Sequence, residues 1–460
     1  MSIRFDGTNL LDRMVGAHGI SPRDIAEGEP AAVAALGRFH ARVEAGDYGF
    51  PHLPFDDATV KEIRRYADSV RGGFDTVCVV GIGGSALGAW ALDCALRGPH
   101  PVQPAFTVKN PRLVILDNVD PSFVLGALDS MNPKKTLVVV IAKSGATAET
   151  VAAFLIVREW LEKALGRKAS GRIVAVTSEN RGDLKPLAVR EGYTTFHLPE
   201  NVGGRFSVLS AVGLVPAALA GFDIRKICRG AAAMTSVCWK PERAVNPALD
   251  AAIHHWLVWT LRGKNIQVAF PYANRLWGLA FWFRQLWAES LGKKHDRAGN
   301  VVHVGQTPVA ALGTTDQHSQ VQLYMEGPND KVYSFWTVKK FAKPGRIPKG
   351  KVGFESMDYL PGQTLERLLD AERRATAAAL TEASRPNCVY EVDKLDEEHV
   401  GGLLQLFEFQ TAILGELLDI DAFDQEGVEL GNKFTFALMG RQGQQEHVER
   451  FQAYERRRSG

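Results

Sequence analysis

The stretch FDTVCVVGIGGSALGAWALDCALRG, residues 74–98, decides the fold class. FDTVCVV runs into an uninterrupted apolar, β-branched segment, the pattern of a strand buried on both faces. GIGGSALG (81–88) follows as a glycine turn, and AWALDCALRG continues as a helix. The same alternation extends outward. RLVILDNVDP is a strand closed by turn residues, and TLVVVIAKSGATAETVAAFLIVREWLEKALG is strand, loop and long amphipathic helix. GRIVAVTS is a further strand and LKPLAVREG a helix. Near-continuous apolar strands separated by helices indicate a parallel sheet covered on both faces.

A second series begins near residue 245. It runs helix (248–263), strand (NIQVAFPY), an aromatic-rich helix, then KVYSFWTVKKF as a strand, with further helices over 364–384 and 402–419. The economical architecture is α/β: two sandwiches, each a mainly parallel sheet between helices, with a helical C-terminal part. We divide the chain into an N-terminal helical segment (1–70), a first domain (71–235) and a second domain with the C-terminal helices (236–460). KPERAVNP, in the region 222–245, reads as a surface connection.

The 460 residues are 45% hydrophobic and 23% charged, with a formal net charge of +2. That balance gives no electrostatic case for nucleic acid or an anionic membrane as partner. The basic ending ERRRSG reads as a solvated tail. The five cysteines form no CxxC pair, and Cys78 and Cys94 sit in apolar segments where a reduced thiol behaves as a small hydrophobe. The opening MSIRFDGTNLLDRMVG interrupts its apolar residues with charges, unlike a signal peptide. The uncharged run between Arg205 and Asp223 contains Pro216 and is short of the ~20 apolar residues of a membrane span, so it reads as a buried helix. The expectation is a cytoplasmic protein.

Several loops hold residues suited to chemistry. GIGGSALG brings backbone N–H groups to a helix start, where an anion is favoured, but lacks GxGxxG spacing and the GK[ST] of a nucleotide loop. AKSGATAET (142–150) occupies the same place after another strand. Its hydroxyls, Ser144 and Thr147, suit either a helix cap or a phosphate site. Two such loops at adjacent strand ends favour a ligand. In NVGGRFS (201–207), Arg205 beside a buried run needs an anionic partner, from the protein or from a ligand. In FWFRQLWAESLGKK (281–294), Glu289 shares a helical stripe with Leu286, Gln285, Trp282 and Phe281, which aims it toward the interior. His318, in TTDQHSQ, reads as a hydrogen-bonded histidine or a site residue. His254 and His255 lie inside a helix, where packing accounts for them. No histidine–carboxylate spacing makes a convincing metal site, and no cofactor is expected.

Together GIGGSALG, DNVDP, KSGATAET, ENVGGRFSVLSAVG, QLWAESLGK, GTTDQHSQ and FDQEGVELGNK resemble the glucose-6-phosphate isomerase (phosphoglucose isomerase) family, over about residues 45–440. The resemblance implies two sugar isomerase (SIS) domains and a homodimer whose active sites are shared between subunits. It implies reversible aldose–ketose isomerisation of glucose 6-phosphate and fructose 6-phosphate, in glycolysis and gluconeogenesis. It assigns the base to Glu289, stabilisation of the enediolate to Arg205, and ring opening to His318. Ser144, Thr147 and the backbone around Lys143 match the phosphate loop; Gly84 and Ser85 match sugar contacts; Gln285 and Gln425 match polar residues lining the site. A carboxylate in apolar surroundings has its pKa raised and can both accept and donate a proton, which is the expectation for Glu289.

Departures from the pattern are Ala142, where many members have serine, AESLGK in place of MESNGK, and Asn432 at the place of the family lysine, with Lys433 next. A one-residue offset near Gly431 would aim Lys433 inward, as ring opening calls for. Two alternatives stand beside this reading: another SIS-fold sugar-phosphate isomerase, including one that accepts mannose 6-phosphate, and a non-catalytic sugar-phosphate sensor. An amino-sugar isomerase lacks support, because no amidotransferase domain with an N-terminal cysteine is present.

Overall fold

The computed structural model describes residues 2–99, 103, 106–143, 145 and 147–459. Strands are numbered along the chain. β1 (Ile3–Asp6) precedes two long helices, Pro22–Glu44 and Asp57–Val70. The next five strands, β2 (Thr76–Val80), β3 (Arg112–Leu116), β4 (Thr136–Ile141), β5 (Ile173–Thr177) and β6 (Thr194–His197), form one all-parallel sheet in the order β3-β2-β4-β5-β6. Helix cover on both faces explains their apolar character. Val77, Val79 and Val139 pack with Leu92 and Ala95 of helix Gly84–Arg97 on one side. Cys78, Val80, Val138 and Val140 pack with Phe154, Val157 and Leu161 of helix Ala148–Leu165 on the other. The uncharged run after Arg205 becomes helix Ala211–Leu219, buried at every residue, as its composition predicts.

The remaining strands are β7 (Ile266–Pro271), β8 (Lys293–His295), β9 (Val301–Val304), β10 (Thr307–Ala310), β11 (Lys331–Lys340) and β12 (Asn387–Lys394). β8 and β9 pair with each other; the rest form a sheet in the order β1-β12-β11-β7-β10. Helix Leu365–Glu382 covers Phe270, Tyr333 and Phe335 with Ala377 and Leu380. On the opposite face Ala269, Trp336 and Tyr390 join the main core, where helix Glu397–Leu417 is buried from His399 to Glu416.

Both sheets place adjacent strands so that their onward connections leave in opposite directions. From β2 the chain goes to β3 on one side, and from β4 to β5 on the other. Such a crevice at the carboxyl ends of parallel strands is where α/β sheets bind ligands. The loops after β2 and β4 are GIGGSALG and AKSGATAET.

Two expectations about organisation change. The opening segment is not wholly helical, since β1 pairs antiparallel with β12, Ile3 lying opposite Val392. Four residues carry no usable period, and only the partner strand specifies them. A division at residues 235 and 236 falls inside helix Ile224–Cys238. That helix buries Ile227 and Ala231 in the same core as Leu403 and Leu404 of helix Glu397–Leu417. KPERAVNP follows it as a mostly exposed connection.

His255 is fully buried beside Tyr390, its Nε2 3.3 Å from the phenol oxygen. Burial holds it neutral, with its pKa pushed down to about 3. All five cysteines are buried and free, and burial pushes the Cys94 thiol up to about 11. Among the described residues, no helix is long and apolar enough to cross a membrane.

Candidate active site

Glu289 stands in the last turn of helix Trp277–Leu291. Of the stripe below it, Trp282 and Leu286 are 1% and 0% exposed and Phe281 and Gln285 are half-buried, yet Glu289 is not enclosed with the buried pair. Its side chain is 34% exposed. One carboxylate oxygen accepts a hydrogen bond from Gln285 Nε2 at 3.0 Å, and the other faces Arg205 Nη1 at 3.4 Å. The expectation of apolar surroundings is therefore corrected. The stripe predicts which way the helix face points, but at the helix end the carboxylate reaches past the core to a polar neighbour.

Arg205, in the short turn Gly204–Phe206, is 2% exposed. Nε donates to Ser290 Oγ at 2.7 Å, and Nη1 also donates to Gln425 Oε1 at 2.9 Å. Nη2 donates to the carbonyls of Ala422 at 2.5 Å and Asp424 at 2.8 Å. All five guanidinium N–H groups are thus engaged. Burial pushes the pKa of this arginine down, and Glu289 and Asp424 act against that shift. The result is a cation fixed in position, and such preorganised charge needs no rearrangement when a negative oxygen develops beside it.

The first-sheet loops close on this pair. A Cβ on Gly84 would lie 2.3 Å from the carbonyl carbon and oxygen of Gly204 and 2.8 Å from the nitrogen of Arg205. Only glycine lets the start of helix Gly84–Arg97 approach the arginine turn so closely. Gly83, at φ +57°, is the turn before it, with Gln285 Nε2 2.9 Å from the place its Cβ would take. Ser85 stands in the first turn of the same helix, its N–H on Ile82 O at 3.1 Å. After β4, Lys143 Nζ donates to the carbonyls of Glu200 and Val202 at 2.7 and 3.0 Å, tying this loop to the segment that leads to Arg205. Burial lowers the pKa of Lys143, partly offset by Glu200. Thr147 stands at the N-cap of helix Ala148–Leu165 and its side chain makes no capping bond. Ser144 lies outside the described residues.

A cavity of about 190 Å³ opens beside Glu289, lined also by Lys293, His295, Gln425 and Val428. Lys293 donates to the Asp424 carbonyl at 2.7 Å and pairs with its carboxylate, so it steadies the segment that holds Arg205. Sequence reasoning missed Ser290, Lys293, Ala422 and Asp424 as supports of the arginine. Ser290 is adjacent to Glu289 and so projects from a different helix face, and two of the contacts are backbone carbonyls without a side-chain signal.

His318 and Lys433 are not reached by these contacts. His318 is exposed at the end of the turn Thr315–His318, a segment organised by Asp316, whose carboxylate accepts from Leu312 N and Ser319 Oγ, each at 2.6 Å. Lys433 and Asn432 are both exposed on helix Glu429–Leu438, which runs without a break through Gly431. The offset expected near Gly431 is absent, because Gly431 takes up the helix and its carbonyl accepts from Thr435 Oγ1 at 3.1 Å. Among the described residues, no three His, Cys, Asp or Glu side chains gather as a metal-binding group.

Comparison with known proteins gives a consistent answer. The family model described as phosphoglucose isomerase matches residues 59–456. A glucose-6-phosphate isomerase of Carboxydothermus hydrogenoformans is 42% identical over 449 residues, spanning 97% of this chain and 96% of its own. The crystal structure of a hypothetical protein from Thermus thermophilus superposes with TM-score 0.84 at 37% identity, covering 95% of this chain and 100% of that one. A glucose-6-phosphate isomerase from Chlamydia trachomatis superposes with TM-score 0.74 at 25% identity, covering 86% and 76%. With the family model matching residues 59–456 and a relative 42% identical over 97% of its length, this chain belongs to the phosphoglucose isomerase family.

Proposed function

We propose that the site interconverts glucose 6-phosphate and fructose 6-phosphate through an enediolate. The observation that carries this reading is the contact between Glu289 and a buried guanidinium fixed by five donated bonds, beside two loops at the strand ends. In the forward direction Glu289 takes the proton from carbon 2 of the open-chain aldose. Negative charge then develops on the oxygen of carbon 1, and the Arg205 cation stabilises it. The hydroxyl proton on the oxygen of carbon 2 passes to the oxygen of carbon 1, and the same carboxylate returns the carbon-bound proton to carbon 1, giving the ketose. The hydroxyl of Thr147, with Ser144 and the backbone near Lys143, is assigned to the phosphate. Gly84, Ser85, Gln285 and Gln425 are assigned to the sugar.

Ring opening is assigned to His318 with Lys433. Resemblance to the family supports a homodimer with active sites shared between subunits, and the exposure of His318 within one chain fits a role in the site of the neighbouring subunit. A cytoplasmic setting suits the substrate. The test is Glu289→Gln, which keeps the shape and removes the base. Hydrogen exchange at carbon 2 should vanish while substrate analogues still bind; an active variant would move the base elsewhere. Mixing Glu289→Gln with His318→Asn subunits should restore activity through hybrid dimers. Failure to restore it would place both groups in one subunit.

A further inference from the structure

The second sheet repeats the strand order of the first. β10-β7-β11-β12 corresponds to β3-β2-β4-β5, so β7 and β11 are adjacent strands whose onward connections leave in opposite directions. A ligand crevice is expected at their carboxyl ends. There is a cavity of about 540 Å³ at that place, bounded by Ala273–Arg275 after β7, Phe341–Lys343 after β11 and Leu395 after β12. Arg97, Arg275, Lys340, Lys343 and Lys394 line it, and no carboxylate does so among the described residues. Val338 and Leu369 supply an apolar wall.

Two of the five cations have partners. Arg97 pairs with Asp93 at 3.2 Å, and Lys394 with Asp396 at 2.7 Å. Arg275 is anchored by backbone, Nε donating to Ala95 O at 2.7 Å and Nη2 to Leu96 O at 2.9 Å, while Asp396 and Glu397 act on it electrostatically. Lys340 and Lys343 have no ion pair among the described residues. Lys340 also lies directly opposite Lys394 in the ladder, a like-charge pairing that an anion between them would relieve. A guanidinium held in place, with two ammonium groups that form no ion pair among the described residues, is suited to a phosphate dianion.

We propose that this crevice is a second site, one that binds the phosphate group of a phosphorylated small molecule. It is separate from the catalytic centre. Arg275 stands just before helix Trp277–Leu291 and Glu289 near its end, which at about 1.5 Å per residue puts them roughly 20 Å apart. The apolar wall accommodates the carbon body of the ligand, and the cations take its charge.

Crystals soaked in tungstate test the proposal, because the metal marks each oxyanion position by anomalous scattering. The expected result is a tungsten position within hydrogen-bonding reach of Arg275, Lys340 and Lys343, lost in the Lys340→Glu/Lys343→Glu double variant. The position at the loop after β4 should persist in both proteins. No tungsten in the crevice overturns the proposal, and so does a position that survives charge reversal, which would be an adventitious ion only. In solution, inorganic phosphate should raise Tm less in the double variant than in wild type. The Michaelis constant for fructose 6-phosphate should stay unchanged. Equal rises in Tm would also overturn the proposal.

Discussion

Replacing Gly84 by alanine tests whether the site depends on backbone-to-backbone contact between the first-sheet loop and the arginine turn. The added Cβ would sit 2.3 Å from the carbonyl carbon and oxygen of Gly204, whereas real Cβ contacts essentially never fall below 3.0 Å. One backbone must therefore retreat by roughly 0.7 Å, and no rotamer change can relieve the clash. The Arg205 bond to Gln425 at 2.9 Å would then lengthen past the range of a hydrogen bond if the arginine turn moved. Overpacking of this kind costs about 1–3 kcal/mol. Displacement of a catalytic group by about 1 Å costs on the order of 100-fold in rate. The expected outcome is a kcat/KM about 100-fold lower, read in an assay coupled to glucose 6-phosphate formation, together with a lower Tm. Gly37→Ala is the control. Gly37 lies inside helix Pro22–Glu44 with nothing within 4 Å of its Cβ position, so alanine should be neutral or stabilising by up to about 1 kcal/mol. If Gly84→Ala keeps both wild-type kcat/KM and wild-type Tm, close approach of the two backbones is not what builds the site.

The other predictions address phosphate binding, pH and ring opening. Ser144→Ala with Thr147→Ala should raise the Michaelis constant for phosphorylated substrates with little change in kcat, since the loop grips ground and transition states alike; unchanged constants would reduce the loop to a helix start. His255 takes a proton near pH 6.5 when unfolded but only near pH 3 when buried, so the native state binds fewer protons between those values. Stability should then fall as pH drops through that window, by up to about 1.4 kcal/mol per pH unit. His255→Gln should flatten this acid limb in urea titrations, and an unaltered slope would refute the assignment. Lys433→Ala should depress turnover on the cyclic substrate while sparing exchange on an open-chain analogue, and Asn432→Ala should do much less. The reverse order would remove Lys433 from the mechanism.

The sequence by itself determined the features that are local. Apolar runs such as TVCVV and TLVVVI are buried on both faces, and the helices between them follow from spacing alone. Arg205 and Glu289 were legible for the same reason: each interrupts an apolar segment, and a buried or half-buried charge requires a partner. Tertiary structure decided what depends on residues far apart in the chain. β1 exists because β12 is there to pair with it, and helix Ile224–Cys238 extends through an apparent boundary because helix Glu397–Leu417 receives its apolar face. The polar setting of Glu289 comes from Arg205, 84 positions earlier, and the arginine is itself held by backbone carbonyls of Ala422 and Asp424. No periodicity in one segment encodes such contacts. The same limit applies to Lys433, where ring opening called for a one-residue offset near Gly431 that the uninterrupted helix Glu429–Leu438 does not make.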